Sequence, residues 1–362
     1  MNTQEGNMPF IPGTLYTSVG SDPEIFVTDE AGEVIPAFTF LPRKLNAIGH
    51  TGGTHFHDGF QAEWTTQVGP SYPECISFLC DKVREGMLRV LKAARAQNPS
   101  ATLSIASVVP IPEHMQTQYD PGYFQLGCSP SLNVYGEEPL AVEDPIQLPF
   151  RCAGWHMHFG LKSYLGSSYH QTVPDYVIPG AIRMLDRILG VMMVSLGQEY
   201  RYPERRTLYG RAGEYRYGRT LEYRVPEVLL GAHPATWNLC WDIGRRALWL
   251  GLRGLEFIWD AEDDEVRHTI NKLDVAVAQK ILKRNEPVMK KIIASVYGVY
   301  DYIYSHTLAT IYDGIGHAIA NPTDLVGNWR LDDGWAPNNN NVSPQHTWGG
   351  ACGLAQQGTS KV

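Results

Sequence analysis

Apolar and polar positions alternate in four separate stretches, and alternate residues of a strand face opposite sides of a sheet. In SDPEIFV (21–27), Asp22 and Glu24 fall opposite Ile25 and Val27. In FQAEWTT (60–66), Gln61, Glu63 and Thr65 fall opposite Ala62 and Trp64. In GWHMHFG (154–160), His156 and His158 share one face while Trp155, Met157 and Phe159 share the other. In RTLEYRVP (219–226), Glu222 and Arg224 face away from Leu221, Tyr223 and Val225. Side by side, the four would make a sheet with one apolar face and one face of carboxylates, imidazoles and guanidinium groups.

Helical periodicity takes over elsewhere. Leu79, Val83, Met87 and Val90 predict a helix from Glu74 to about Ala96, closed by Asn98-Pro99. Ile178, Ile182, Leu185, Leu189 and Met192 predict a buried helix over 175–198. A stripe of Ile270, Leu273, Val277 and Ile281 reads as one helix, broken near Pro287 and resumed by Val288, Ile292, Val296 and Val299. A hairpin is expected at Ala31-Gly32, a strand with long loops over 101–150, and an Arg- and Tyr-rich loop over 201–219. The sequence thus divides into a single domain over 1–325 and an irregular tail over 326–362, which could dock through Trp329, Trp335 and Trp348.

Composition narrows the class. The 362 residues are 43% hydrophobic and 19% charged, the balance of a globular protein able to bury a core. A formal net charge of −8 with dispersed Lys and Arg gives no nucleic-acid footprint. No apolar run approaches a membrane span and the start lacks a secretion-signal layout, so a cytoplasmic protein is expected. Six dispersed cysteines (Cys75, Cys80, Cys128, Cys152, Cys240, Cys352) include no CxxC pair and are expected as reduced thiols.

The polar face is where chemistry would reside. Carboxylates supply hard oxygen ligands for Mg²⁺, and fixed arginines balance the charge of a transferring phosphoryl group. A merely wet face would favour Thr, Lys and Ser over His, Glu and Arg. His156 and His158 could also be part of a zinc site, but no third His or Cys stands at a convincing spacing. Arg205, Arg206, Arg211, Arg216, Arg219 and Arg224, interleaved with Gly210, Gly213 and Gly218, are read as anion-binding.

These residues resemble a family. GWHMHFG is similar to the Gly-x-His-x-His strand of glutamine synthetases, and LEYRVP (221–226) to their Glu-x-Arg-x-Pro strand. GSDPEIFV (20–27), DGFQAEW (58–64), LGCSPSLNVYG (126–136), GWHMHFG and YGRAGEYRYGRTLEYR (209–224) resemble, in order, the blocks of the phage-associated amidoligases called carboxylate-amine ligase type 2. The resemblance covers about 18–230 and extends through the helices to about 320. It implies an α+β fold, a curved antiparallel β-sheet with helices packed on its outer face, and a site on the concave face.

It further implies ATP and Mg²⁺ as cofactors, and a carboxylate and an amine as substrates. By residue, it implies metal ligation by Glu24, Glu63, His156 and Glu222 with Asp22 beside Glu24, phosphate or substrate contact by His158, and phosphoryl stabilisation by Arg224. Arg211 and Arg216 are assigned to the nucleotide phosphates or the substrate carboxylate. Asp58 is the candidate proton acceptor, although alternation counted back from Glu63 places it on the wrong face unless a bulge intervenes near Gly59. If the chain is phage-encoded, its compartment is the host cytoplasm; the sequence shows no self-complementary surface that fixes an oligomeric state. Two other functions fit the same sheet: a guanidino-kinase-like phosphotransferase, and a non-catalytic phage structural or binding protein.

Overall fold

The computed structural model describes residues 14–50, 53–66, 76–125, 131–138, 144–164, 170–196, 202–296 and 323–332. Its strands are β1 (Thr14–Thr28), β2 (Val34–Ile35), β3 (Ile48–His50), β4 (Gly53–Asp58), β5 (Gln61–Thr66), β6 (Thr102–Ser104) and β7 (Val108–Pro110), followed by β8 (Leu132–Asn133), β9 (Phe150–Cys152), β10 (Trp155–Tyr164), β11 (His170–Thr172), β12 (Glu214–Tyr217) and β13 (Leu221–Tyr223). The main sheet has the order β3-β4-β5-β1-β10-β13-β12-β8 and does not close on itself, while β7 and β9 form a separate pair. Every pairing between these strands is antiparallel.

The long strand β1 joins the two halves of this sheet. From Thr14 to Pro23 it pairs with β10, with Asp22 opposite His156. It then pairs with β5, with Glu24 opposite Glu63, and its last residues pair with β2 and β6. On the far side of β10, His158 stands opposite Glu222 of β13, and Glu222 stands opposite Arg216 of β12. Directly paired residues share a face. This register therefore sets Glu63, Glu24, Asp22, His156, His158, Glu222 and Arg216 on one face.

The other face is the core. Trp64, Trp155, Met157, Phe159, Leu221 and Tyr223 are buried, and full burial of each large apolar side chain favours folding by about 1.5–3 kcal/mol relative to exposure. Helices α1 (Ile76–Arg95), α2 (Glu113–Gln118), α3 (Ile178–Leu185), α4 (Val191–Leu196), α5 (Pro234–Leu252), α6 (Asp263–Lys272), α7 (Val275–Arg284) and α8 (Glu286–Val296) follow in chain order. A π-helical segment, Asp186–Gly190, carries α3 into α4. Phe159 of β10 meets Trp241 of α5 with ring centroids 5.4 Å apart, and Trp64 meets Trp155 edge-on at 5.9 Å. The architecture is the expected α+β layering of helices against one face of an antiparallel sheet. No described helix is long and apolar enough to cross a membrane.

Four local expectations change, the first being the Arg- and Tyr-rich loop over 201–219, which contains a 3-10 turn at Pro203–Thr207 and the strand β12. The stripe from Ile270 to Ile281 is two helices, because Leu273 adopts φ 53° and Asp274 then caps α7 by accepting from the Val277 N–H. Pro287 is the second residue of α8, where a missing N–H costs no helical hydrogen bond, and the break falls at Asn285. In 101–150, short strands, α2 and 3-10 turns replace continuous loops. Of the three tail tryptophans, Trp329 is buried and its Nε1 donates to the Gly231 carbonyl at 2.7 Å. Trp335 and Trp348 lie outside the described residues, as do Val299 and residues 126–130 of the third resemblance block. Cys80, Cys152 and Cys240 are free thiols.

Candidate active site

Two donor clusters sit on the polar face, one on each side of β1. Asp22, His156 and Glu222 offer ligand atoms within 4.8 Å of one another, and so do Glu24, Asp58 and Glu63. Asp22 and Glu24 are two residues apart on one strand, roughly 7 Å along it, so the clusters are neighbours. Both donor sets suit a hard divalent cation: three carboxylates in one, two carboxylates and an imidazole in the other.

Burial separates this face from an ordinary wet sheet surface. Glu24, Glu63, His156, Glu222 and Arg224 are 3%, 5%, 2%, 6% and 1% exposed. Carboxylates removed from water at such density destabilise one another unless cations or protons balance them. Lysine, histidine and arginine side chains stand against the carboxylates, and burial raises the proton affinity of Glu63 and Asp58.

In the first cluster, His156 Nδ1 lies 3.4 Å from Glu222 Oε1 and 3.7 Å from Asp22 Oδ1. His158 Nε2 lies 2.8 Å from Asp22 Oδ1, and its Nδ1 is 3.0 Å from Thr220 Oγ1, which fixes the ring. Burial works to raise the Asp22 carboxyl, but His158 and His156 outweigh it and hold the group below the usual carboxylate range. For His158, burial favours the neutral ring, yet the Asp22 carboxylate prevails and raises its proton affinity. Arg224 Nε is 3.1 Å from Glu222 Oε1, and Arg216 Nη1 is 3.5 Å from Glu222 Oε2. The Arg224 guanidinium also donates to Ser131 Oγ at 2.7 Å and lies 5.1 Å from the centre of the Tyr209 ring.

In the second cluster, Glu24 Oε2 accepts from the Gly154 N–H at 2.7 Å and from the Tyr209 hydroxyl at 2.9 Å. Burial raises the Glu63 carboxyl well above its ordinary value, reinforced by Asp22, Glu24 and Asp58. Burial and the Glu24 charge likewise push Asp58 up to about 6, against the pull of Lys44 and Arg216. Lys44 Nζ stands 3.5 Å from Glu63 Oε1.

Asp58 reaches this cluster by a hairpin, not a bulge. β4 and β5 pair with Asp58 opposite Gln61 and Phe56 opposite Glu63, so even residues of β4 share a face with odd residues of β5. Gly59 makes the reversal with φ +63°, a conformation open to glycine and strained for other residues.

The arginines divide. Arg224 and Arg216 join the site. Arg205 is fully buried and donates to the carbonyls of Ala153, Arg224, Val225 and Pro226, while Arg206 donates to the carbonyls of Gly210 and Val225 and to Glu227. These two tie the 205–210 segment to the strand ends that carry His156 and Glu222. Arg211 is held by Glu214 at 3.0 Å, Glu137 at 3.4 Å and the Glu138 carbonyl, away from the donor clusters. Lys44 and Tyr209 are site residues that the strand patterns miss, because both lie outside strands.

No family model matches the chain, and no curated protein matches it. Among solved structures, it is similar to one described as a GmaS/ADP complex in its first conformation, at 12% identity and a TM-score of 0.43, over 88% of this chain and 73% of that one. It is also similar to one described as a novel glutamine synthase homolog, at 12% identity and a TM-score of 0.41, over 88% of this chain and 70% of that one.

Proposed function

We propose that the chain is an ATP- and Mg²⁺-dependent ligase that joins a carboxylate to an amine through an acyl phosphate, in the manner of the phage-associated amidoligases whose sequence blocks it resembles. The observation that carries this reading is the pair of adjacent, buried donor clusters on one sheet face, with Arg224 and Arg216 against Glu222. A site for phosphoryl transfer needs this juxtaposition of metal-ligating oxygens and fixed cations.

Asp22, His156 and Glu222 would hold one metal ion, and Glu24 and Glu63 a second, with Asp58 beside them as the proton acceptor. When bound, such ions supply charge neutralisation to the phosphate oxygens. Arg224 and Arg216 add fixed positive charge where it develops on the transferring group, and His158 contacts a phosphate or the acid. A substrate carboxylate oxygen bonds to the γ-phosphorus as the bond to the bridging oxygen breaks, releasing ADP. An amine nitrogen then attacks the acyl carbon, and the tetrahedral intermediate expels inorganic phosphate with its electron pair. Asp58 takes the proton released by the incoming ammonium. Arg211 orients the nucleotide only by exchanging its present carboxylate partners for phosphate.

The test is calorimetric titration with a non-hydrolysable ATP analogue, with and without Mg²⁺. We expect Mg²⁺-dependent binding in the wild type and its loss in folded Glu24→Ala and Glu222→Ala variants. No binding by the wild type at concentrations that detect micromolar affinity sinks the ligase reading and leaves a non-catalytic scaffold. If binding holds, release of ADP and phosphate that requires both an acid and an amine separates a ligase from a guanidino kinase.

A further inference from the structure

Lys44 occupies the position a cation would take at the rim of the Glu24, Asp58 and Glu63 cluster. It belongs to a 3-10 turn, Lys44–Asn46, ahead of β3. The turn is anchored on its N-terminal side: the His57 N–H donates to the Pro42 carbonyl at 2.9 Å, Arg43 bridges to His57, and the Arg43 guanidinium lies 5.3 Å from the centre of the Tyr123 ring. From there the Lys44 stem crosses the Phe56 ring, with Nζ 4.7 Å from its centroid. Phe56 is the cross-strand partner of Glu63, so this path delivers the ammonium to the polar face, 3.5 Å from Glu63 Oε1.

Charge balance gives this placement its meaning. Three carboxylates lie within reach of one cation, and Glu24 and Glu63 are buried. Glu24 accepts from two neutral donors, the Gly154 N–H and the Tyr209 hydroxyl. Arg216 pairs with Glu222 and also acts electrostatically on Asp58. Lys44 is thus the ammonium in direct contact with the cluster, and its side chain is 71% exposed on a flexible four-carbon stem that can swing into water without disturbing the core.

We propose that Lys44 is a tethered counter-cation of the Glu24, Asp58 and Glu63 cluster, which a divalent ion must displace to bind there. The inference rests on the reading of that cluster as a metal site. Lys44 acts through the carboxylates rather than on a substrate: it lowers the affinity of this cluster for metal, chiefly through its direct contact with Glu63, and acts on Asp22 of the neighbouring cluster only through space. Because the pair is exposed on the lysine side, its effect should be at the upper end of a surface ion pair, about fivefold in a dissociation constant.

Mn²⁺ alone, titrated against the full chain by calorimetry and electron paramagnetic resonance, tests this without reference to activity. Lys44→Gln is expected to tighten one class of Mn²⁺ site about fivefold, Lys44→Arg to restore the wild-type affinity, and Glu63→Gln to abolish the class that Lys44→Gln tightens. Unchanged or weaker Mn²⁺ binding in Lys44→Gln overturns the proposal while leaving the metal-site reading intact. Absence of Mn²⁺ uptake by wild type and Lys44→Gln alike overturns both.

Discussion

Tyr223 occupies the apolar face of β13, and its hydroxyl donates to Asp186 Oδ1 at 2.7 Å, placing a carboxyl group inside the core behind the site. Burial pushes Asp186 up to about 7, although the Tyr223 hydrogen bond favours the ionised form. An unfolded chain ionises this group near its ordinary value of 3.8, whereas the folded chain holds the proton. Stability is therefore fully present below the ordinary value and falls as pH rises toward the folded one. At ~1.4 kcal/mol per unit, the whole effect is on the order of 4 kcal/mol. Asp186→Asn keeps an acceptor for Tyr223 and removes the charge. Urea unfolding at pH 4 to 8 should show the variant gaining on the wild type with each step up to about pH 7; a gap that does not change with pH would show that Asp186 ionises freely in the folded state. The sequence did mark the neighbouring site residues, because Asp22, His156, His158 and Glu222 each stand in a strand whose apolar partners betray the inward face, and Arg224 directly follows one. Asp186 was invisible for the opposite reason, lying in a helix that reads as apolar nearly all round.

Among elements, legibility followed period. Strands β1, β5, β10 and β13 and helices α1 and α3 announce themselves by repeats of two or of 3.6, and the structure has them where those repeats occur. Turns carry no period. Parity counted through Gly59-Phe60 assigned Asp58 to the wrong face because a two-residue reversal changes which residues are partners. Leu273 kept the apolar spacing of one helix across a left-handed residue that ends it. Packing distance is equally silent in sequence, and α3 against α5 shows it. A Cβ built on Gly251 would stand 2.4 Å from the Gly180 carbonyl oxygen and 2.5 Å from the Ala181 Cα, both backbone atoms. Gly251→Ala must separate the two helices and should cost about 1–3 kcal/mol, the usual range for overpacking. Gly49→Ala in β3, where a Cβ meets nothing within 4 Å, is the control and should be nearly neutral in the same urea titration. Equal midpoints for the two variants would mean that the helices slide apart at no cost.

At the scale of the whole molecule, the two donor clusters span the join between the halves of the sheet. Asp58 and Glu63 come from the β4-β5 hairpin, His156 and Glu222 from β10 and β13, and β1 contributes Asp22 and Glu24 between them. A metal-free chain thus holds five carboxylates on one buried or half-buried face, and relieves them with protons, His158, Lys44 and arginines. Ions bound to the folded chain alone must stabilise it by mass action, about 2.7 kcal/mol at a hundredfold excess over the dissociation constant. Since the ligands are drawn from both halves, that stabilisation should appear as one cooperative rise in the midpoint of thermal unfolding, not as protection of a single hairpin. We expect Mg²⁺ to raise the midpoint by a few degrees, and the rise to disappear in an Asp22→Asn, Glu24→Gln variant, whose own metal-free midpoint should fall because the charge that His158 and His156 stabilise is gone. An equal Mg²⁺ shift in both proteins would locate cation binding elsewhere on this acidic chain, and the reading of the polar face as a metal-dependent site would fall with it.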